Sequence, residues 1–164
     1  MSYNPESYWA KRENPNKYNT LQDWDINILK PLCDKADSIL DFGSGNGRTF
    51  ELYKGKDVVA YDIVDKHVDV LRAKAKEHDL NMFKFIQGDI DYHFDLGVIN
   101  KVLLHEPNPE WIVNYVATKC DTVFISTGVN MVAEHCFNHD YEDLLRQYDI
   151  KSWDQNGNDL TIVF

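Results

Sequence analysis

The run Ser38-Ile-Leu-Asp-Phe42, followed at once by Gly43-Ser44-Gly45-Asn46-Gly47, constrains this chain more than any other stretch. Five strand-like residues end on three alternating glycines, and residues 48–54 then have helical character, with Gly55 placed to stop the turn. Such a turn lets backbone N–H groups approach a ligand closely, and the N-terminus of a following helix favours negative charge beside it. Strand, glycine turn, helix is the expected opening unit of the core.

The alternation continues downstream. A second strand at Asp57–Tyr61 ends on Asp62, and Asp65 is expected to cap a helix that buries Val68, Leu71 and Ala75. Phe83-Lys-Phe-Ile86 forms a third strand running into Gly88-Asp89, and residues 95–99 form a fourth. Asn108-Pro109-Glu110 then opens a helix with Ile112, Val113, Val116 and Ala117 on its inner face. A fifth strand over 122–126 precedes a loop to Asp140 and a helix over 141–148. Residues 149–153 and 160–164 flank a hairpin turn containing Asn156-Gly157-Asn158. Strands alternating with helices predict an α/β, doubly wound, mostly parallel sheet with an antiparallel C-terminal hairpin strand, its ligand crevice at the carboxyl ends of the central strands.

Upstream of the first strand, Thr20 can cap a helix whose Leu21, Trp24, Ile28, Leu29 and Leu32 share a face. Before it, Tyr3, Tyr8, Trp9 and Tyr18 give residues 1–19 more aromatic surface than a solvated tail needs. The organisation expected is one domain over 1–164: an N-terminal arm and helix (1–37), of which the arm at residues 3–19 covers the site, and a core (38–164).

Composition narrows the function. Among 164 residues, 27 acidic against 17 basic give a formal net charge of −10, which repels a phosphate backbone, so no nucleic-acid partner is expected. No apolar run approaches the roughly 20 residues that span a bilayer, so no membrane association is expected. The first residues show no secretory signal, which makes the cytoplasm the expected location. Cys33, Cys120 and Cys136 form no C-x-x-C pair and read as reduced thiols. His135, Cys136 and His139 have a spacing that could hold a metal on a helix, but 128–140 reads as loop and no further ligand is placed, so no metal site is expected.

The glycine turn could take a phosphate or a carboxylate. Asp62, about 20 residues on, can accept hydrogen bonds from both ribose hydroxyls, which leaves nicotinamide and other adenosine cofactors tied. Spacing separates them. A dinucleotide fingerprint needs G-x-G-x-x-G, and counting from Gly43 and Gly45 puts Arg48 in the last place. Asp89 ends the third strand where it could accept from an exocyclic amine, with Ile90 and Ile63 as apolar cover for a purine.

Together these residues resemble the class I S-adenosylmethionine-dependent methyltransferases. Residues 39–47 resemble the first motif of that family, Tyr61-Asp62-Ile63 its second-strand acid, Gly88-Asp89-Ile90 its adenine contact and residues 94–105 its fourth-strand segment. The resemblance implies a Rossmann-like methyltransferase sheet and S-adenosyl-L-methionine as cofactor. It implies Asp41, Gly43, Ser44, Gly45 and Gly47 around the methionine moiety, Asp62 at ribose, Asp89 and Ile90 at adenine with Ile63 as further cover, and Asn100 facing the donor methyl. His105 and Glu106 are the candidates for a base. The segment after the fourth strand, Asn100-Lys-Val-Leu, lacks the Pro-Pro-aromatic pattern of base-amino methyltransferases, and no Pro-Cys nucleophile is present. A small-molecule acceptor is therefore expected. A non-catalytic cofactor-binding module, a nucleotide-dependent oxidoreductase, and methylation of a protein or RNA partner stand as alternatives.

Overall fold

The computed structural model describes residues 4–11, 21–133 and 135–164. Seven strands form one sheet: β1 (Ser38–Phe42), β2 (Asp57–Tyr61), β3 (Met82–Ile86), β4 (Phe94–Asn100), β5 (Cys120–Gly128), β6 (Ser152–Asn156) and β7 (Asp159–Val163). Their order is β3-β2-β1-β4-β5-β7-β6. Strands β1 to β5 pair in parallel, whereas β7 runs antiparallel to both β5 and β6. The chain starts at the centre, winds out to β3 and returns to the other side of β1, so the reversal falls between β1 and β4. Connections leaving those two strands diverge and open a crevice at their carboxyl ends.

Alternate residues of each central strand face opposite layers, which is why the strands read as continuous apolar runs. Ile39, Val58, Ala60 and Phe124 face a core with Leu29 and Cys33 of α2 (Asp23–Lys35) and Leu71 and Ala75 of α3 (Val68–Glu77). Leu40, Val59, Val123 and Ile125 face the opposite core, with Ile112, Val113 and Val116 of α4 (Glu110–Lys119) and Tyr141 and Leu145 of α5 (Tyr141–Leu145). At the far end of the sheet, the Asp95 carboxylate accepts from the backbone N–H groups of Asp37 and Ser38 at 2.8 and 2.9 Å, tying the start of β1 to β4. Among the described residues no helix is long and apolar enough to cross a membrane.

Several local expectations are corrected. The segment after the glycine turn is no α-helix but a single 3-10 turn, Phe50–Leu52. Its bonds run from Phe50 N to Gly47 O, Leu52 N to Thr49 O and Tyr53 N to Phe50 O. Phe50 and Tyr53 are both fully buried, and the three-residue period puts them on one side. Asp65 opens another 3-10 turn, Asp65–His67, and caps no helix; α3 starts only at Val68. Asn108 does not cap α4, whose N-cap is Pro109, and its backbone N–H instead donates to Glu106 Oε1 at 3.1 Å. Strands β4 and β5 are longer than expected, and α5 is shorter. Asp140 does cap α5, accepting from Asp143 N at 3.0 Å. Thr20 lies outside the described residues, and Gln22, the N-cap of α2, makes no side-chain cap bond.

Gly97, in the middle of β4, is required by close packing. A Cβ there would sit 2.5 Å from Val116 Cγ1 and 2.8 Å from Cys120 Sγ. Gly97→Ala should therefore destabilise the fold by roughly 1–3 kcal/mol through overpacking, measured as a lower urea midpoint at unchanged slope; an unchanged midpoint would refute this packing account.

Candidate active site

The carboxyl ends of β1, β2 and β4, together with the start of β7, border a cavity of about 570 Å³. Its first wall is the glycine turn. Gly43 and Ser44 donate their backbone N–H groups to Tyr61 O at 2.7 and 3.1 Å, which locks the turn onto the end of β2. Gly43 has φ +75°, and a Cβ there would lie 2.3 Å from Val102 Cγ2. Gly45, at φ +53°, has nothing within 4 Å of where a Cβ would be, so its backbone faces open space.

Asp62 lies opposite this turn. Its Oδ2 accepts from Gly45 N at 2.7 Å and its Oδ1 from Val64 N at 3.0 Å. Burial pushes its pKa up, and backbone bonds from Val64, Gly45 and Ile63 pull it back down. A carboxylate offers about four acceptor positions. Backbone N–H groups use part of that capacity, which leaves the carboxylate able to accept further from the cavity it lines.

Asn100 ends β4 and also lines the cavity. It is 4% exposed, and among the described residues neither its side-chain oxygen nor its nitrogen has a partner. Orphaned buried amides are uncommon, and this one borders a space that a ligand could fill. Its carbonyl accepts from Arg48 Nη2 at 3.2 Å, so the residue in the place of the third fingerprint glycine delivers a cation to the cavity wall. Next to it, Lys101 adopts φ +57°, and its Nζ meets Asp159 Oδ1 at 2.6 Å and Thr127 O at 3.2 Å.

His105 and Glu106 line the same cavity. His105 Nδ1 is 3.0 Å from His135 O, and the two imidazole rings stack with centroids 5.2 Å apart. The edge of Trp9 meets the His105 ring at 4.8 Å, and Tyr8 stacks on His135 at 5.1 Å. Both aromatics belong to α1 (Pro5–Lys11), and Lys66 Nζ holds that helix by donating to Trp9 O at 2.6 Å and Ala10 O at 3.1 Å. Tyr3, Arg12 and Tyr18 lie outside the described residues. Lys11 is exposed and does not line the cavity.

The cavity thus brings together Gly43, Ser44, Gly45, Asp62, Ile63, Asn100, His105 and Glu106. Asp41 and Gly47 stand behind it. Asp41 accepts from Thr49 Oγ1 at 2.6 Å, and its backbone carbonyl accepts from Ser44 Oγ at 2.7 Å, so it shapes the turn from below. Asp89 and Ile90, the expected adenine contacts, do not border this cavity. Asp89 accepts from Tyr115 Oη at 3.0 Å, a bond that with its neighbours holds its carboxyl below the ordinary range, while Ile90 is fully buried in the core beside α4. Nothing in the sequence around Gly88 signals that Tyr115 of α4 captures this turn. Ile63 and Trp111, 40% and 47% exposed, present apolar faces at the cavity, and the sequence reading missed Trp111 along with Arg48 and Lys101. His139 bonds Leu103 O at 3.0 Å, so it does not join His135 and Cys136.

A family model described as a methyltransferase domain matches residues 33–161. The chain belongs to the class I S-adenosylmethionine-dependent methyltransferase family. No curated protein matches its sequence. Among solved structures it resembles an O-methyltransferase family protein from Burkholderia thailandensis, at 12% identity and TM-score 0.71, over 99% of this chain and 63% of that one. It resembles TehB from Haemophilus influenzae at 16% identity and TM-score 0.70, over 97% of this chain and 66% of that one. A SAM-dependent methyltransferase from Aquifex aeolicus matches at 13% identity and TM-score 0.71, covering 99% of this chain and 98% of that one. This methyltransferase domain therefore spans a little under two thirds of the first two structures and almost all of the third.

Burial pushes the Asp41 carboxyl from its ordinary 3.8 up to about 7, against the pull of Thr49 and Arg48. Its folded state thus holds a proton that the unfolded chain releases near pH 4. The stability it contributes is complete below that pH and is lost as pH rises through about 7. Relative to Asp41→Asn, the wild type should lose on the order of 4 kcal/mol between pH 4 and pH 7.5, measured by urea unfolding at each pH; a difference that stays flat would remove Asp41 from this role.

Proposed function

We propose that this chain transfers a methyl group from S-adenosyl-L-methionine to a small-molecule acceptor. The observation that carries the reading is the Asp62 carboxylate, clamped on the cavity wall by backbone N–H groups with acceptor capacity left over. A vicinal diol such as a ribose suits it. The unpartnered Asn100 amide and the open space at Gly45 fit the remainder of such a ligand. The 3-10 turn after β1 offers no helix macrodipole, so the expected helix N-terminus at the methionine carboxylate is replaced by turn N–H groups and the Arg48 guanidinium. Ile63 and Trp111 provide apolar faces for the base.

S-adenosylmethionine supplies an electrophilic methyl on a sulfonium, and attack must be collinear with the carbon–sulfur bond. Positioning alone accounts for roughly 7–11 kcal/mol in well-aligned pairs. What this chain contributes is alignment: the rigid β1 turn on the donor side, and on the acceptor side the His105–Glu106 turn facing the loop after β5. His105 and Glu106 line that side and can take a proton from an acceptor hydroxyl, amine or thiol.

The small-acceptor reading rests on enclosure. The loop after β5 contributes Met131, Ala133, His135 and Cys136 to the lining, and Trp9 of α1 adds to it from outside the sheet. That leaves space on the scale of a compact ligand. A net charge of −10 opposes a phosphate backbone. Other solved structures of this fold are named for different acceptors: a 1,6-didemethyltoxoflavin-N1-methyltransferase solved with S-adenosylhomocysteine, an rRNA methylase, and a ribosomal protein L11 methylase.

Calorimetry should find S-adenosylmethionine binding without NADH binding, and Asp62→Ala should weaken the donor by roughly 1.5–3 kcal/mol through lost charged hydrogen bonds. Incubation with methyl-labelled donor should label a metabolite fraction, not added ribosomes or total RNA. Tight NADH binding, an unchanged Asp62→Ala affinity or label in the macromolecular fraction would each overturn the corresponding part of the proposal.

A further inference from the structure

Two loops far apart in sequence meet at the acceptor end of the cavity. One is the 3-10 turn Leu103–His105 after β4, and the other is the segment 131–139 after β5. Phe137 N donates to Leu104 O at 2.7 Å, His139 Nε2 lies 3.0 Å from Leu103 O, and His105 Nδ1 lies 3.0 Å from His135 O. The second loop is braced internally, because the Asn138 side chain accepts from Met131 N at 2.7 Å and donates to Met131 O at 2.9 Å. Through this cross-bracing one ligand atom from each of His105, His135 and Cys136 comes within 4.8 Å of the others. Cys136 Sγ is 3.9 Å from His105 Nδ1, and because that nitrogen carries the proton donated to the His135 carbonyl, Nε2 is the His105 atom with a lone pair for a metal. All three side chains are half-buried and border the cavity.

We propose that His105, His135 and Cys136 form a site for a zinc-class divalent cation whose fourth coordination position faces the cavity. The donor set decides the metal class. Two imidazoles and a thiolate are borderline-soft ligands that suit zinc or cobalt, whereas magnesium and calcium call for oxygen ligands. Three protein ligands with a further position open to the cavity is the pattern of reactive, not structural, zinc sites. Trp9 and Tyr8 pack against the two imidazoles and form the apolar shell that restricts water around such a centre. The other two cysteines are unsuited, since burial pushes Cys33 and Cys120 up to about 12.

The open position is where an acceptor's sulfur, oxygen or nitrogen would bind, which rests on the methyltransferase reading above. A cation there lowers the pKa of the bound heteroatom and fixes its direction toward the donor methyl. His105 is then a ligand, and Glu106 is left as the proton acceptor.

The test is titration of the metal-stripped full chain with cobalt(II), with S-adenosylmethionine binding measured by calorimetry on the same samples. One equivalent of cobalt should give a cobalt–thiolate charge-transfer band with tetrahedral visible absorption, and zinc should displace it. Cys136→Ser should abolish the charge-transfer band, and His135→Gln should weaken cobalt binding at least tenfold, both with donor binding retained as the sign of a folded cavity. A wild-type titration without a stoichiometric band would overturn the inference, as would a band that survives Cys136→Ser. Donor binding without the metal band refutes the metal site alone, whereas the metal band without donor binding refutes the methyltransferase reading and leaves the site.

Discussion

The 2.6 Å hydrogen bond from Thr49 to the buried Asp41 carboxyl holds the glycine turn from beneath. Because Asp41 stands one residue before the end of the central strand, its backbone carbonyl also receives the Ser44 hydroxyl, and the turn that follows brings Gly43 and Ser44 to Tyr61 O. Gly45 is then the residue whose N–H meets Asp62. Each contact presupposes the one below it. A carboxyl with no access to the cavity thus sets where the carboxylate on the cavity wall can stand, and burial stabilises its protonated form as part of the arrangement.

Much of this was legible in residue order. The apolar runs at β1, β2 and β5 alternate with helical periodicity, and that alone implies a mostly parallel sheet wound on both sides, with Asn156-Gly157 turning the last strand back. The glycine turn and Asp62 were readable because backbone approach demands glycine, and a carboxylate closing the second strand has little other use. What resisted reading was tertiary. Asp89 follows β3 as the pattern requires, yet a tyrosine 26 positions later on α4 takes its carboxylate. Residues 48–54 have helix-forming composition, but the inward demands of Phe50 and Tyr53 impose a period of three.

The histidines show the same limit from the other side. His135 and His139 are spaced for one helix face, and a local reading pairs them. The chain forms no helix there, and cross-loop bonds pull His139 toward Leu103 and His135 toward His105. Residues 30 positions apart thereby become neighbours, as no local window could foresee. Lys101 is a comparable case, since its partner Asp159 is brought to it by the arrival of β7.

That arrival has a cost in timing. Because β7 runs against its neighbours, its first residue, not its last, lies at the rim where the parallel strands end, and Asp159 there neutralises Lys101 across 58 positions of chain. During vectorial synthesis the parallel half of the sheet emerges long before this closing hairpin. Until the hairpin docks, β5 has a bare edge and the lysine ammonium lacks its counter-charge, so the pocket wall is complete only once the last strand to be synthesised has paired.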